Sequence, residues 1–154
     1  MNGLVRVVPV IDHSVRGLCF RPYPLHPKGC PNANKCDRCP PKAPLFENVF
    51  DLGSPVFAVV NEFDIGSHVE RMRAAHPDWT DRQLYCVLYW QPKARKALAA
   101  KVKESLKALP GYVETRCPEA MGIDVTKTLA NAGVVLEWPP LKIARQVSFL
   151  GRPI

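Results

Sequence analysis

The chain has 154 residues, 47% apolar and 23% charged, with a formal net charge of +7. This is the length of one domain that can bury its own core, and the balance excludes a disordered chain. The longest apolar stretches are as short as Val56 to Val60, which excludes a membrane-spanning helix and with it a membrane partner.

The start, Met1 to Arg6, lacks the apolar run of a signal peptide, so a cytoplasmic location is expected by elimination. The excess of Lys and Arg suits an anionic partner, nucleic acid or a nucleotide, and equally serves solubility. Six cysteines without an export signal point away from disulfides, because the cytoplasm keeps thiols reduced.

In chain order, Leu4 to Ile11 is β-branched and reads as a strand that Pro9 confines to an edge or ends early. Residues 12–55 carry many prolines and little periodicity, and read as a long irregular loop that something must hold in place. Val56 to Phe63 is a strand, followed by a helix over Ile65 to Ala75 with Ile65, Val69 and Met72 on one face. Thr80 to Gln83 has the form of a capping box, which predicts a helix from Asp81 to about Trp90 burying Leu84, Val87 and Leu88. Cys86 falls within that helix and reads as a core residue, while His68 and His76 read as surface residues.

Lys93 to Leu109 is helical, with Ala94, Leu98, Val102, Leu106 and Leu109 as its apolar stripe and Pro110-Gly111 as its stop. Lys93, Lys96, Lys101, Lys103 and Lys107 fill the remaining faces. Tyr112 to Thr115 is a short strand. Asp124 caps a helix that Gly133 closes, and Val134 to Glu137 and Ala144 to Leu150 are the last strands. A right-handed crossover from the strand at 56 to the strand at 112 would set the helices against one face. The expected fold is α/β or α+β, a single domain over 1–154, with a mixed sheet in a 56–154 body and a Cys/Pro-rich metal-binding loop over 12–55.

Four cysteines crowd that loop: Cys19, Cys30, Cys36 and Cys39, separated by ten, five and two residues. The close pair Cys36/Cys39 lets two thiolates converge on one centre, and Cys19 and Cys30 complete four sulfur ligands. Zinc takes four thiolates as a structural staple, whereas an iron–sulfur cluster takes the same ligands and tolerates proline after them. Cys30, Cys39 and Cys117 are each followed by proline, and there is one close pair where zinc ribbons use two, so iron–sulfur is preferred and zinc is the alternative. Three ligands alone would leave a position open to water or substrate. His26 is an alternative nitrogen ligand, Cys117 is placed to reach the centre in space, and Glu119 is either an acid/base group or part of a plain connecting loop.

Three stretches together, Pro22 to Asn32, Cys39-Pro40-Pro41 and Pro118 to Val125, resemble a family of largely uncharacterised microbial and phage proteins described as predicted metal-binding. The resemblance implies metal binding at Cys30 and Cys39, with Cys19 next, and puts the ligand role of Cys36 in doubt. It supplies no reaction.

Three functions remain. One is an iron–sulfur protein for redox or sulfur chemistry on a nucleotide or nucleic acid. Another is a zinc-stapled module that binds nucleic acid through the Lys93–Lys107 face. The last is a partner-binding adaptor with Trp79, Trp90 and Trp138 as exposed anchors.

Overall fold

The computed structural model describes residues 3–22, 26–31 and 33–154. Its β-branched and aromatic runs form four strands: β1 (Leu4–Val7), β2 (Val56–Asp64), β3 (Val113–Thr115) and β4 (Ile143–Gly151). They make one sheet in the order β1-β2-β4-β3, with each neighbouring pair antiparallel. The fold is therefore α+β, and the expected mixed sheet is corrected to an antiparallel one. β2 and β3 do run the same way with helices between them, but β4 inserts between the two and pairs with both. β1 stops at Val7, ahead of Pro9, and lies at the sheet edge.

The two-residue period of a strand sends alternate side chains of β2 to opposite faces. Val59 meets Leu98 and Val102 of α3 (Gln91–Lys107), together with Leu150 of β4. Beside them, Ile65 and Val69 of α1 (Ile65–Ala75), Leu84 of α2 (Asp81–Leu84) and Trp90 pack with Ala144. On the other face Ala58, Val60 and Phe149 are covered by Phe46, Phe50, Met121, Ile123 and by Val125 and Leu129 of α4 (Val125–Asn131). The helices between β2 and β3 thus lie on one face, as expected, and α4, which follows β3, covers the other. Each face of this sheet is apolar, so each must be covered.

Local chemistry sets the helix ends. Asp64 accepts from the Ser67 N–H at 2.9 Å to start α1. Thr80 and Gln83 form the reciprocal capping box of α2. Asp124 accepts from the Lys127 N–H at 2.9 Å, and Gly133 follows α4 with φ +86°. Pro92 stands at the start of α3, where its missing N–H has no partner to lose.

The helix expected over Asp81 to Trp90 ends after Leu84. A 3-10 turn, Val87–Tyr89, follows and leaves Val87 and Leu88 45% and 77% exposed. This break carries Trp90 into the core, stacked on Phe63 with ring centroids 5.1 Å apart. Burial of a large aromatic surface decides against continuing the helix. Trp90 is therefore no exposed anchor, Cys86 is half-buried at the turn and not in a helical core, and His68 is buried beside Phe63. Residues 134–137, expected as a strand, run irregularly, and just beyond them the Glu137 carboxylate closes a turn by accepting from the backbone N–H groups of Leu141 and Lys142. No helix among the described residues is long and apolar enough to cross a membrane.

Candidate metal centre

A proline-rich segment cannot complete a ladder, so the backbone of residues 12–55 finds its partners in turns and in neighbouring segments. It opens with a 3-10 helix, His13–Phe20, begun where Asp12 accepts from the Ser14 N–H at 3.0 Å. This helix is tied to the segment between β3 and α4: the Asp12 N–H donates to the Gly122 carbonyl at 2.8 Å, and the Asp124 N–H to that of Val10 at 2.9 Å. Gly122 has φ +88°, and a Cβ there would stand 2.8 Å from the His13 ring, so glycine is required on both counts.

Cys19 lies near the end of that 3-10 helix. The Cys30 N–H donates to the Cys19 carbonyl at 2.8 Å, and Gly29, with φ +83°, allows an approach that a Cβ would block at 2.7 Å from the same oxygen. Arg16, on the same 3-10 helix as Cys19, draws in two further segments. Its Nε donates to the Ala120 carbonyl at 2.9 Å, and its Nη2 to those of Pro41 and Ala43 at 3.1 and 2.7 Å.

Cys36 and Cys39 form a tight pair with sulfurs 3.4 Å apart, in a turn where the Cys39 N–H donates to the Cys36 carbonyl at 3.0 Å. The Cys39 thiol donating to Cys36 lowers the pKa of Cys36, with help from Arg38, and raises that of Cys39, to which burial adds. Cys117 follows β3, its N–H donating to Thr115 Oγ1 at 3.4 Å. Burial raises both Cys19 and Cys117. Negative charge at Cys30, Glu119, Cys39 and Cys117 raises Cys19 further. Such thiols hold their protons at neutral pH unless a cation offsets the cost of ionising them together.

Between the loop and β3 is a cleft of about 600 Å³, lined by Asp37, Arg38, Phe50, Thr115, Cys117 and Met121 among others. Glu119 is exposed as a residue, yet the protein around its carboxyl and the charge of Asp124 raise its pKa. Asp124 is a helix cap, as the sequence suggests. His13 pairs with Glu47 at 2.6 Å, and His26 is half-buried in the loop. Within the resembling stretch Pro22 to Asn32, residues Tyr23, Pro24, Leu25 and Asn32 lie outside the described residues.

The four loop cysteines and Cys117 therefore share one region, and Cys86 belongs to another part of the fold. Among the described residues, no three His, Cys, Asp or Glu side chains converge closely enough to enclose a single ion. Away from this region, α3 buries Ala94, Leu98 and Val102 and exposes Lys93, Lys96, Lys103 and Lys107, with Lys101 half-buried. Trp138 is exposed, and Trp79 is half-buried between His76 and Tyr89, with ring centroids 3.9 and 5.2 Å away.

No family model, no curated protein and no solved structure matches the chain.

Proposed function

We propose that this chain carries an iron–sulfur cluster on the loop 12–55, with Cys19, Cys30 and Cys39 as ligands and a fourth position open to a further thiol. The reading rests on one observation: three separate turns of the loop meet, because the Cys30 N–H donates to the Cys19 carbonyl at 2.8 Å and Arg16, on the 3-10 helix of Cys19, holds the Pro41 and Ala43 carbonyls just after Cys39. The donor set is soft and sulfur-only, so it favours a thiophilic centre whose binding displaces the thiol protons. A cluster takes thiolates on different irons and spaces them wider than one ion does, which suits thiols that are neighbours without meeting at a point. The resemblance to predicted metal-binding proteins points the same way. When bound, such a centre would supply one-electron transfer or an iron on which a sulfur-bearing substrate could bind.

The test is anaerobic purification followed by iron, zinc and acid-labile sulfide analysis with a visible absorption spectrum. Brown protein with iron and sulfide in similar amounts is expected, lost in Cys30→Ala and in Cys39→Ala. Wild-type protein free of metal, or variants that keep it unchanged, would sink the assignment.

Zinc is the second reading, favoured by the 3.4 Å separation of the Cys36 and Cys39 sulfurs. A tetrahedral site with Zn–S of about 2.3 Å sets its sulfurs about 3.8 Å apart. Stoichiometric zinc without sulfide would move the proposal there. The exposed lysines of α3 motivate a separate proposal, that nucleic acid or a nucleotide is the partner.

A further inference from the structure

We propose that Cys117 closes the thiolate set with Cys19, Cys30 and Cys39, and that Cys36 stands outside it as an exposed thiol. The inference deepens the cluster reading and rests on it.

The geometry starts from Arg16. One guanidinium holds carbonyls on both sides of the region: Ala120, in the segment that begins at Cys117, and Pro41 and Ala43, which follow Cys39. Arg16 itself is on the 3-10 helix that carries Cys19, and Cys30 is bonded to Cys19 through the backbone. Hydrogen bonds thus link the segments that carry the four cysteines. The links from Asp12 to Gly122 and from Asp124 to Val10 repeat the connection between the Cys19 and Cys117 segments, which leaves those two little freedom to part.

Cys117 also brings what the loop lacks, a rigid origin. It follows β3, whose register against β4 is fixed by Thr115 opposite Phe149, and the Met121 Sδ accepts from the Thr115 hydroxyl at 3.3 Å. Ligands projected from a strand end hold position better than ligands in a free turn. Cys36, in contrast, is exposed, and its thiol is bonded to Cys39 in the same turn. Cys117 shares its cleft with Asp37 and Arg38, the two residues between Cys36 and Cys39.

The test compares anaerobically purified wild-type, Cys30→Ala, Cys117→Ser and Cys36→Ala proteins by iron and sulfide content, with far-ultraviolet circular dichroism as the check on folding. Wild-type and Cys36→Ala are expected to hold equal iron and sulfide, and Cys117→Ser to lose them as fully as Cys30→Ala. A wild type without iron ends the cluster reading itself. A wild type with iron, alongside a Cys36→Ala variant that loses it or a Cys117→Ser variant that keeps it, overturns this inference and leaves the cluster in place. Should Cys117→Ser fail to fold, alkylation of the wild-type protein decides. Iodoacetamide should modify Cys117 at least tenfold more slowly with the centre bound than after its removal, and Cys36 at the same rate in both. The reverse pattern overturns the inference.

Discussion

Arg16 is the side chain on which the architecture of the centre depends most. Its three carbonyl acceptors belong to segments with no ladder of their own, so its loss strands groups that only water can then satisfy. Arg16→Met is expected to cost about 1.5–3 kcal/mol in urea unfolding, the range for hydrogen bonds to a charged group, and to lower metal retention. Arg16→Lys should rescue little, because an ammonium lacks the planar fork that reaches several carbonyls at once. Cys86→Ala is the matching control. It should leave metal content unchanged and cost about 1 kcal/mol, and loss of metal there would mean that the centre lies elsewhere. Residue identity makes Cys19, Cys30, Cys36 and Cys39 visible as a set in the sequence. Cys117 is visible as a cysteine before proline, but what brings it to the loop is a hydrogen-bond network between distant segments, which no spacing encodes.

At the scale of elements, what reads from sequence is what is decided locally. The bounds of α1, the capping box at Thr80 and the Asp124 cap need only neighbouring residues, and each forms. The segment from Tyr85 to Trp90 does not, because the pairing of Trp90 with Phe63 is a tertiary event that overrides helical periodicity.

Caps carry a pH signature. Asp64 is held below the usual carboxylate range, first by the Ser67 N–H and then by its hydroxyl. A carboxyl with a lower pKa when folded adds stability above its unfolded value, and that stability is lost as pH falls through the folded one. Asp64→Asn keeps an acceptor without the charge, so the gap in stability between wild type and variant should close below about pH 4, in urea unfolding followed by circular dichroism.

The exposed face of α3 supports a separate measurement. Replacing Lys96, Lys103 and Lys107 with Gln should weaken binding to nucleic acid and flatten its salt dependence by about one unit of log–log slope for each phosphate no longer neutralised. Lys107 also pairs with Glu104 at 3.2 Å, so its share should be the smallest. A wild type with no affinity at physiological salt would remove nucleic acid as a partner.

The whole molecule is a sheet covered on both faces, and Phe149 is the residue that commits it to that form. Fully buried on the central strand β4, it meets Phe46 edge-on with centroids 6.3 Å apart and belongs to the cluster that closes the loop side of the sheet. Phe149→Ala should cost about 3–5 kcal/mol in equilibrium unfolding. It should also loosen the loop side before the α3 side, read as earlier hydrogen exchange in residues 43–50 than in α3.

The place of β4 in the sheet also fixes an order of events. β2 and β3 both precede β4 in the chain, yet among the described residues β3 pairs with no other strand and β2 has only the short β1 along its other edge. During synthesis, then, the nine-residue β2 waits with an open edge, and the segment bearing Cys117 lacks its sheet partner until β4 docks. Pairings that span so much chain close slowly, and open edges invite pairing between molecules. For the proposed cluster, delivery of iron and sulfide would accordingly be a late step. A chain cut before Ile143 should aggregate and never load, whereas a full-length chain refolded first and reconstituted afterwards should stay in solution and take up its centre.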